Sequence, residues 1–159
     1  MNPVDRSAIE SFVYYEAALL DAGALKDWLE LFAQDCLYWI PSRAHAPDPV
    51  RHVSIVYDDK PKLSARVARL LSGKEYAQEP PSVTCRQVTN VVTRAGADGE
   101  IEVNAVLVVY ETRPNTAIQA VPAHARWRLT VQDGSFRIRE KRVVLTDLDR
   151  YYENLTFLL

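Results

Sequence analysis

Glycine is scarce in this sequence, at five residues in 159, and none lies in a Gly-rich turn between a strand and a helix. A phosphate cradle and a dinucleotide fingerprint both depend on such a turn, so no nucleotide cofactor is expected. Cysteine is scarcer still. Cys36 and Cys85 lie far apart with neither metal-ligand nor disulfide spacing, which predicts free, buried thiols in a reducing compartment. Long apolar runs are missing as well: "AVLVVY" from Ala105 to Tyr110 is typical of the longest, so no membrane-spanning helix is expected. Met1 is followed by Asn, Pro, Val and Asp, without the basic start of a signal peptide, and the expected compartment is the cytoplasm. A formal charge of -2 gives no overall attraction to nucleic acid or to an anionic membrane. What is present, 48% hydrophobic and 25% charged residues, is the balance of a globular chain forming a single domain over residues 1–159.

The pattern along the chain changes once. Ser7 with Glu10 reads as a capping box, and Ile9, Phe12, Val13, Ala17 and Leu20 follow at helical spacing until Gly23 offers a left-handed stop. Leu25, Trp28, Leu29 and Phe32 repeat the spacing and predict a second helix, with Gln34 and Asp35 as its exit turn. "CLYWI" from Cys36 to Ile40 reads as a strand closed by Pro41, and Pro41 to His52 as an extended, proline-rich loop. Val53 to Tyr57 predicts a short strand. Asp59 then caps a third helix, with Pro61 in its first turn and Leu63, Val67, Leu70 and Leu71 on one face. From Val83 the period becomes two. "VTCRQVTNVVTR", "EIEVNAVLVVYETR", "AHARWRLTV" and "SFRIREKRVVL" are four long strands separated by "AGADG", "PNTA" and "QDGS". Three helices ahead of an antiparallel meander predict an α+β domain with the helices on the concave face of a curved sheet.

Catalytic chemistry has few candidates. His45 and His52 flank Asp48, but a loop preorganises ligands poorly and the spacing fits no metal template, so solvated side chains are expected. An iron–sulfur cluster of the Cys-His type needs paired motifs, and neither cysteine is followed by one. Asp35, His124 and the Tyr14–Tyr15 pair are the acid–base candidates. Asp35 reads better as a turn residue, His124 as outward-facing, and the tyrosines as core residues with satisfied hydroxyls. Arg126, Arg128, Arg137, Arg139 and Lys141 alternate with Trp127, Leu129, Phe136 and Ile138, which predicts a positive outer face, either solvated and relieved by Glu140 and Asp133 or docked on an acidic neighbour. The apolar end "YYENLTFLL" needs cover, from its own domain or from another chain.

Four stretches carry a resemblance to a known family: "WLELFAQDCLYWIP" from Trp28, "YDDKPKLSARVARL" from Tyr57, "QEPPS" from Gln78 with Arg86 after it, and the closing "NLTFLL". Together they resemble the small subunit of bacterial aromatic-ring-hydroxylating dioxygenases, in particular the benzoate and aromatic-acid branch. The resemblance implies a cone-shaped fold like that of nuclear transport factor 2 (NTF2). It also implies a large-subunit partner that carries the Rieske 2Fe-2S cluster and mononuclear iron, and an α3β3 hexamer with the small subunits as a trimeric base. By this resemblance the chain has no catalytic, cofactor or metal residues of its own. Its contact surfaces would be the Pro41 to His52 loop, the corner Tyr57, Asp58 and Asp59 with Arg66 and Arg69, and the terminus with Tyr151, Phe157 and Leu158. Two other classes share the fold: an isomerase or dehydratase with an internal acid–base pair in a deep pocket, and a dimeric binding module.

Overall fold

The computed structural model describes residues 5–42, 48–51, 54–73, 82–146 and 157–159. Three α-helices, α1 (Arg6–Asp21), α2 (Leu25–Glu30) and α3 (Lys60–Leu71), interleave with six strands among these residues. The strands are β1 (Phe32–Pro41), β2 (Ser54–Asp58), β3 (Val83–Ala95), β4 (Ile101–Thr112), β5 (Gln119–Gln132) and β6 (Ser135–Leu145). They form one sheet in the order β2-β1-β6-β5-β4-β3. All neighbours are antiparallel except β1 and β6, which run parallel because the helical segment and the whole meander lie between them in the chain. The α+β architecture and the four long strands are as the pattern predicts.

The inner face of the sheet reads as strict alternation. Ile101, Val103, Ala105, Leu107 and Val109 of β4 are buried, as are Val121, Ala123, Ala125, Trp127 and Leu129 of β5. The hairpin that joins β5 to β6 turns on Asp133 and Gly134, both at positive φ (50° and 74°), the geometry that Asp-Gly adopts at least cost. Ile9, Val13 and Leu20 of α1, Trp28 of α2 and Leu63 and Val67 of α3 close over this face in one core.

Several local expectations are corrected. Asp5, not Ser7, caps α1: its carboxylate accepts from the Ser7 N–H at 3.0 Å, and Glu10 pairs with Arg6 at 2.7 Å instead of closing a capping box. An ionised carboxylate satisfies the helix N-terminus better than a hydroxyl, because it also complements the dipole. α2 stops at Glu30, and Phe32 opens β1. The Leu31 carbonyl accepts from the Ile138 N–H at 2.8 Å, and Phe32 pairs with Ile138, so β6 draws the backbone into the sheet four residues before Cys36. Asp35 is therefore a strand residue. β5 likewise starts at Gln119 and runs through Pro122, earlier than "AHARWRLTV" suggests. Cys36 is buried as expected, but Cys85 is exposed on β3, one of the two edge strands of the sheet.

The cap and first turn of α3 are as predicted, but of its expected apolar face only Leu63 and Val67 are buried, Leu70 is partly so, and Leu71, at the last turn, is exposed. Asp59 accepts from the Lys62 N–H at 3.0 Å, with Pro61 in the first turn. Lys60 ties the helix to its neighbours by donating to the carbonyls of Leu29 (2.7 Å) and Phe32 (2.9 Å), where α2 ends and β1 begins.

Candidate functional site

The interior of the cone is where a fold of this kind would house chemistry, and here it is occupied by protein. Glu16 of α1 and Lys141 of β6 meet at 2.6 Å, each only 1% exposed. The same Glu16 oxygen accepts from the Trp28 indole N–H at 2.6 Å. The Lys141 ammonium sits 5.8 Å from the ring centres of both Trp28 and Trp127. Two charges out of water are costly unless paired and hydrogen-bonded, and each has the other here. Burial nevertheless outweighs the pull of Glu16 and lowers the Lys141 pKa.

Around the pair stands an aromatic cluster. Trp28 packs edge to face on Phe32 (4.7 Å) and on Tyr38 (5.7 Å), at spacings that favour T-shaped contact. The fully buried Tyr38 hydroxyl accepts from the Leu159 N–H at 2.9 Å and donates to the Leu159 main-chain oxygen at 3.0 Å. Burial holds the phenol well above the ordinary tyrosine range. Arg86 of β3 donates to the Leu158 carbonyl and to Asp21 of α1, the latter at 2.5 Å. Leu158 and Leu159 are buried and Phe157 packs against the same core, so these three residues fold back on their own domain.

Sequence reasoning missed this cluster because a misplaced residue hid it. Lys141 was expected on the outer face with the arginines. A bulge in the β5–β6 pairing sets Leu129 opposite Ile138 but Arg128 opposite Glu140, leaving Arg139 as the extra residue. One added residue reverses the parity of everything beyond it, so Lys141 turns inward, opposite Trp127. Glu16 did leave a signal. With Ile9, Val13 and Leu20 it falls at i, i+4, i+7 and i+11, squarely on the apolar stripe of α1.

The outer face is less positive than the alternation predicts. Arg126 pairs with Glu140 at 2.7 Å, and Arg139 with Asp35 at 2.6 Å and Glu100 at 2.9 Å. Arg128 lies 3.6 Å from both Glu100 and Glu140. Arg142 stacks 4.4 Å from the centre of the Trp39 ring. Asp35 is thus a surface ion-pair member, not a turn residue, and it is remote from the interior. His124 is exposed on this side, as expected. Tyr14 and Tyr15, expected in the core, are 46% and 53% exposed on α1. No acid–base pair forms from these candidates.

Among the described residues no three His, Cys, Asp or Glu side chains come together to hold a metal ion. His45, His52 and Tyr151 lie outside the described residues. Asp48 accepts from the Val50 N–H at 2.9 Å within its own turn. At the predicted corner, Tyr57 packs its half-exposed ring on Trp39 at 6.0 Å, and Asp59 is held as the α3 cap. Asp58 is buried and grips Arg66 by two bonds, at 2.6 and 3.2 Å. Arg69 lies in the last turn of α3. No helix among the described residues is long and apolar enough to cross a membrane.

Among the described residues, then, Leu158, Leu159 and the Glu16–Lys141 pair are packed inside the fold and ion pairs run along the outer face of the sheet. Residues 15–148 match the ring hydroxylating beta subunit family, and the chain belongs to it. Its relatives include the small oxygenase component of the p-cumate 2,3-dioxygenase system of Pseudomonas putida, 37% identical over 147 residues, covering 89% of this chain and 79% of that one. The beta subunit of benzoate 1,2-dioxygenase from Burkholderia mallei has the same fold, with a TM-score of 0.81 at 23% identity over 99% of this chain and 100% of the other. An NTF2-like protein with a cystatin-like fold from Novosphingobium aromaticivorans aligns at a TM-score of 0.63 and 15% identity, over 90% of this chain and 82% of its own. Subunits of this family are the small, non-catalytic component of aromatic-ring-hydroxylating dioxygenases. The cofactors sit in the large alpha subunit, which is this chain's partner.

Proposed function

We propose that the chain, as one domain over residues 1–159, is the structural base of a cytoplasmic α3β3 oxygenase that dihydroxylates an aromatic acid. The observation that carries this reading is the family match over residues 15–148, and the Glu16–Lys141 pair, enclosed at 1% exposure and tied to Trp28, supports it by filling the core with structural contacts. Three copies associating with one another would fix three large subunits, keeping the Rieske cluster of one within transfer range of the iron of the next. An aromatic acid is favoured because the 37%-identical relative is named for p-cumate, a substituted benzoate. The contacts are assigned to Tyr57, Asp58, Asp59, Arg66 and Arg69 at the α3 corner and to Tyr151, Phe157 and Leu158 near the terminus. Phe157 and Leu158 act through the ends they help to pack, since their side chains lie against the core.

Co-expression with the large subunit, followed by a mass measurement in solution, tests the proposal. The expected product is an equimolar complex of six chains. A large subunit that trimerises and turns over substrate equally well without this chain would overturn it.

A further inference from the structure

A single register row crosses the outer face of the sheet from its β2 edge. Tyr57 of β2 lies opposite Trp39 of β1, Trp39 opposite Arg142 of β6, and Arg142 opposite Arg126 of β5, so the four side chains share one face. Beside the row runs a balanced chain of charge, in which Asp35, Glu100 and Glu140 serve Arg126, Arg128 and Arg139. Arg142 is left over. Among the described residues it has no ion-pair partner, its Nε is buried without a hydrogen bond, and its guanidinium lies on the Trp39 ring, 4.4 Å from the centre. Burial, and after it the neighbouring Arg126, lower the Arg142 pKa against the opposing pull of Glu140, as befits a cation short of counter-charge.

We infer that the Arg142 guanidinium is the anchor for a carboxylate side chain, Asp or Glu, of the large subunit. The inference rests on the reading of this chain as the structural partner of that subunit, and it names the chemistry of one contact between them. One unmatched positive charge calls for one carboxylate, and a guanidinium stacked on an indole keeps its in-plane donors for a two-bond grip on that group. The platform is set before a partner arrives. The Trp39 indole N–H donates to the Ser54 hydroxyl at 2.9 Å, and the Tyr57 ring meets Trp39 at 6.0 Å. Trp39 is 6% exposed and Tyr57 43%, so a buried support carries an open rim. Side chains already fixed lose little freedom on binding, and Trp, Tyr and Arg are the residues in which binding energy concentrates. The row is continuous with the α3 corner, because Tyr57 belongs to both.

The test titrates purified large subunit with the full chain as wild type, Arg142→Met and Arg142→Glu. Arg142→Met keeps an unbranched side chain over Trp39 and removes the charge. Its affinity for the large subunit is expected to fall at least about ten-fold, while its Tm stays within about 4 °C of wild type. Raising the salt from about 50 to about 500 mM should weaken wild type more than Arg142→Met, since only wild type has the ion pair to screen. Arg142→Glu should bind more weakly still, and one member of a set of large subunits, each with a single surface Asp or Glu replaced by Arg, should restore at least about ten-fold of what it lost. A methionine variant that binds as tightly as wild type overturns the inference, whether or not its Tm falls. So does a set in which no replacement rescues Arg142→Glu, or a loss confined to self-association of the small subunits, which would make the occupant a second copy of this chain. A wild-type chain that does not bind the large subunit at all overturns the reading of function, and this contact with it.

Discussion

Lys141 stands between two indole rings with one carboxylate as its counter-charge, and that balance sets what its replacement does. Lys141→Met leaves Glu16 buried and uncompensated, which costs about 3–5 kcal/mol, whereas the pair replaced together by Glu16→Gln and Lys141→Met should recover most of it. Urea unfolding of Glu16→Gln, Lys141→Met and the double variant measures this; a loss in the double variant equal to the sum of the two single losses would show that the two charges are not coupled. Tyr38 adds a pH dependence. Its folded pKa is raised by burial, so the folded state keeps the phenol proton at pH values where the unfolded chain has lost it. The contribution is fully present below about pH 10 and declines as pH rises from there toward the folded pKa, at about 1.4 kcal/mol per pH unit for this one group. Tyr38→Phe removes that slope along with the bonds to Leu159. The variant should be about 1–2 kcal/mol less stable at pH 8, and the gap should narrow above pH 10. A gap constant from pH 8 to pH 11 would contradict the assignment.

At the scale of elements, α3 depends on its first residue. Asp59→Ala removes the acceptor for the Lys62 N–H and should cost about 0.5–2 kcal/mol, while Asp59→Asn or Asp59→Ser should cost less than half of that. Thermal unfolding of the three variants ranks them, and an Ala variant as stable as wild type would remove the cap from the account. This helix was legible in advance because cap, proline and the stripe through Leu63 and Val67 all pointed one way; only Leu71, at its end, falls outside the packed face. The meander was legible for the same reason: its alternation runs over strands of eleven to fourteen residues and its turns carry Asp-Gly or Asn. What escaped was non-local. No property of "FRIREK" announces that Arg139 will be the extra residue of a bulge, since that is set by β5 across the sheet, and the error moved Lys141 to the wrong face. The early start of β1 depended on β6 in the same way. The core positions of Tyr14 and Tyr15 were misjudged because a helix of sixteen residues drifts around its axis, and the stripe settled on Ile9, Val13, Glu16 and Leu20.

For the whole molecule, the question is which surface meets the large subunit, and the α3 corner offers a test that separates contact from folding. Arg66 is a poor probe, because removing it strands the buried Asp58 carboxylate and disturbs the chain itself. Tyr57 and Arg69 are better. The Tyr57 ring is half exposed and meets Trp39 in a T-shaped contact, and Arg69 lies in the last turn of α3, where its charge complements the helix terminus. Replacing both, as Tyr57→Ala with Arg69→Glu, should leave the Tm within a few degrees of wild type, as surface changes usually do. The same change places a missing aromatic anchor and a reversed charge at a contact, where such residues carry a large share of the affinity. Complex formation with the large subunit should then weaken by at least about ten-fold, a loss of about 1.4 kcal/mol, measured by titration of purified subunits. If the doubly substituted chain binds as tightly as wild type and only its thermal stability falls, the corner is part of the fold alone and the interface lies elsewhere on the cone.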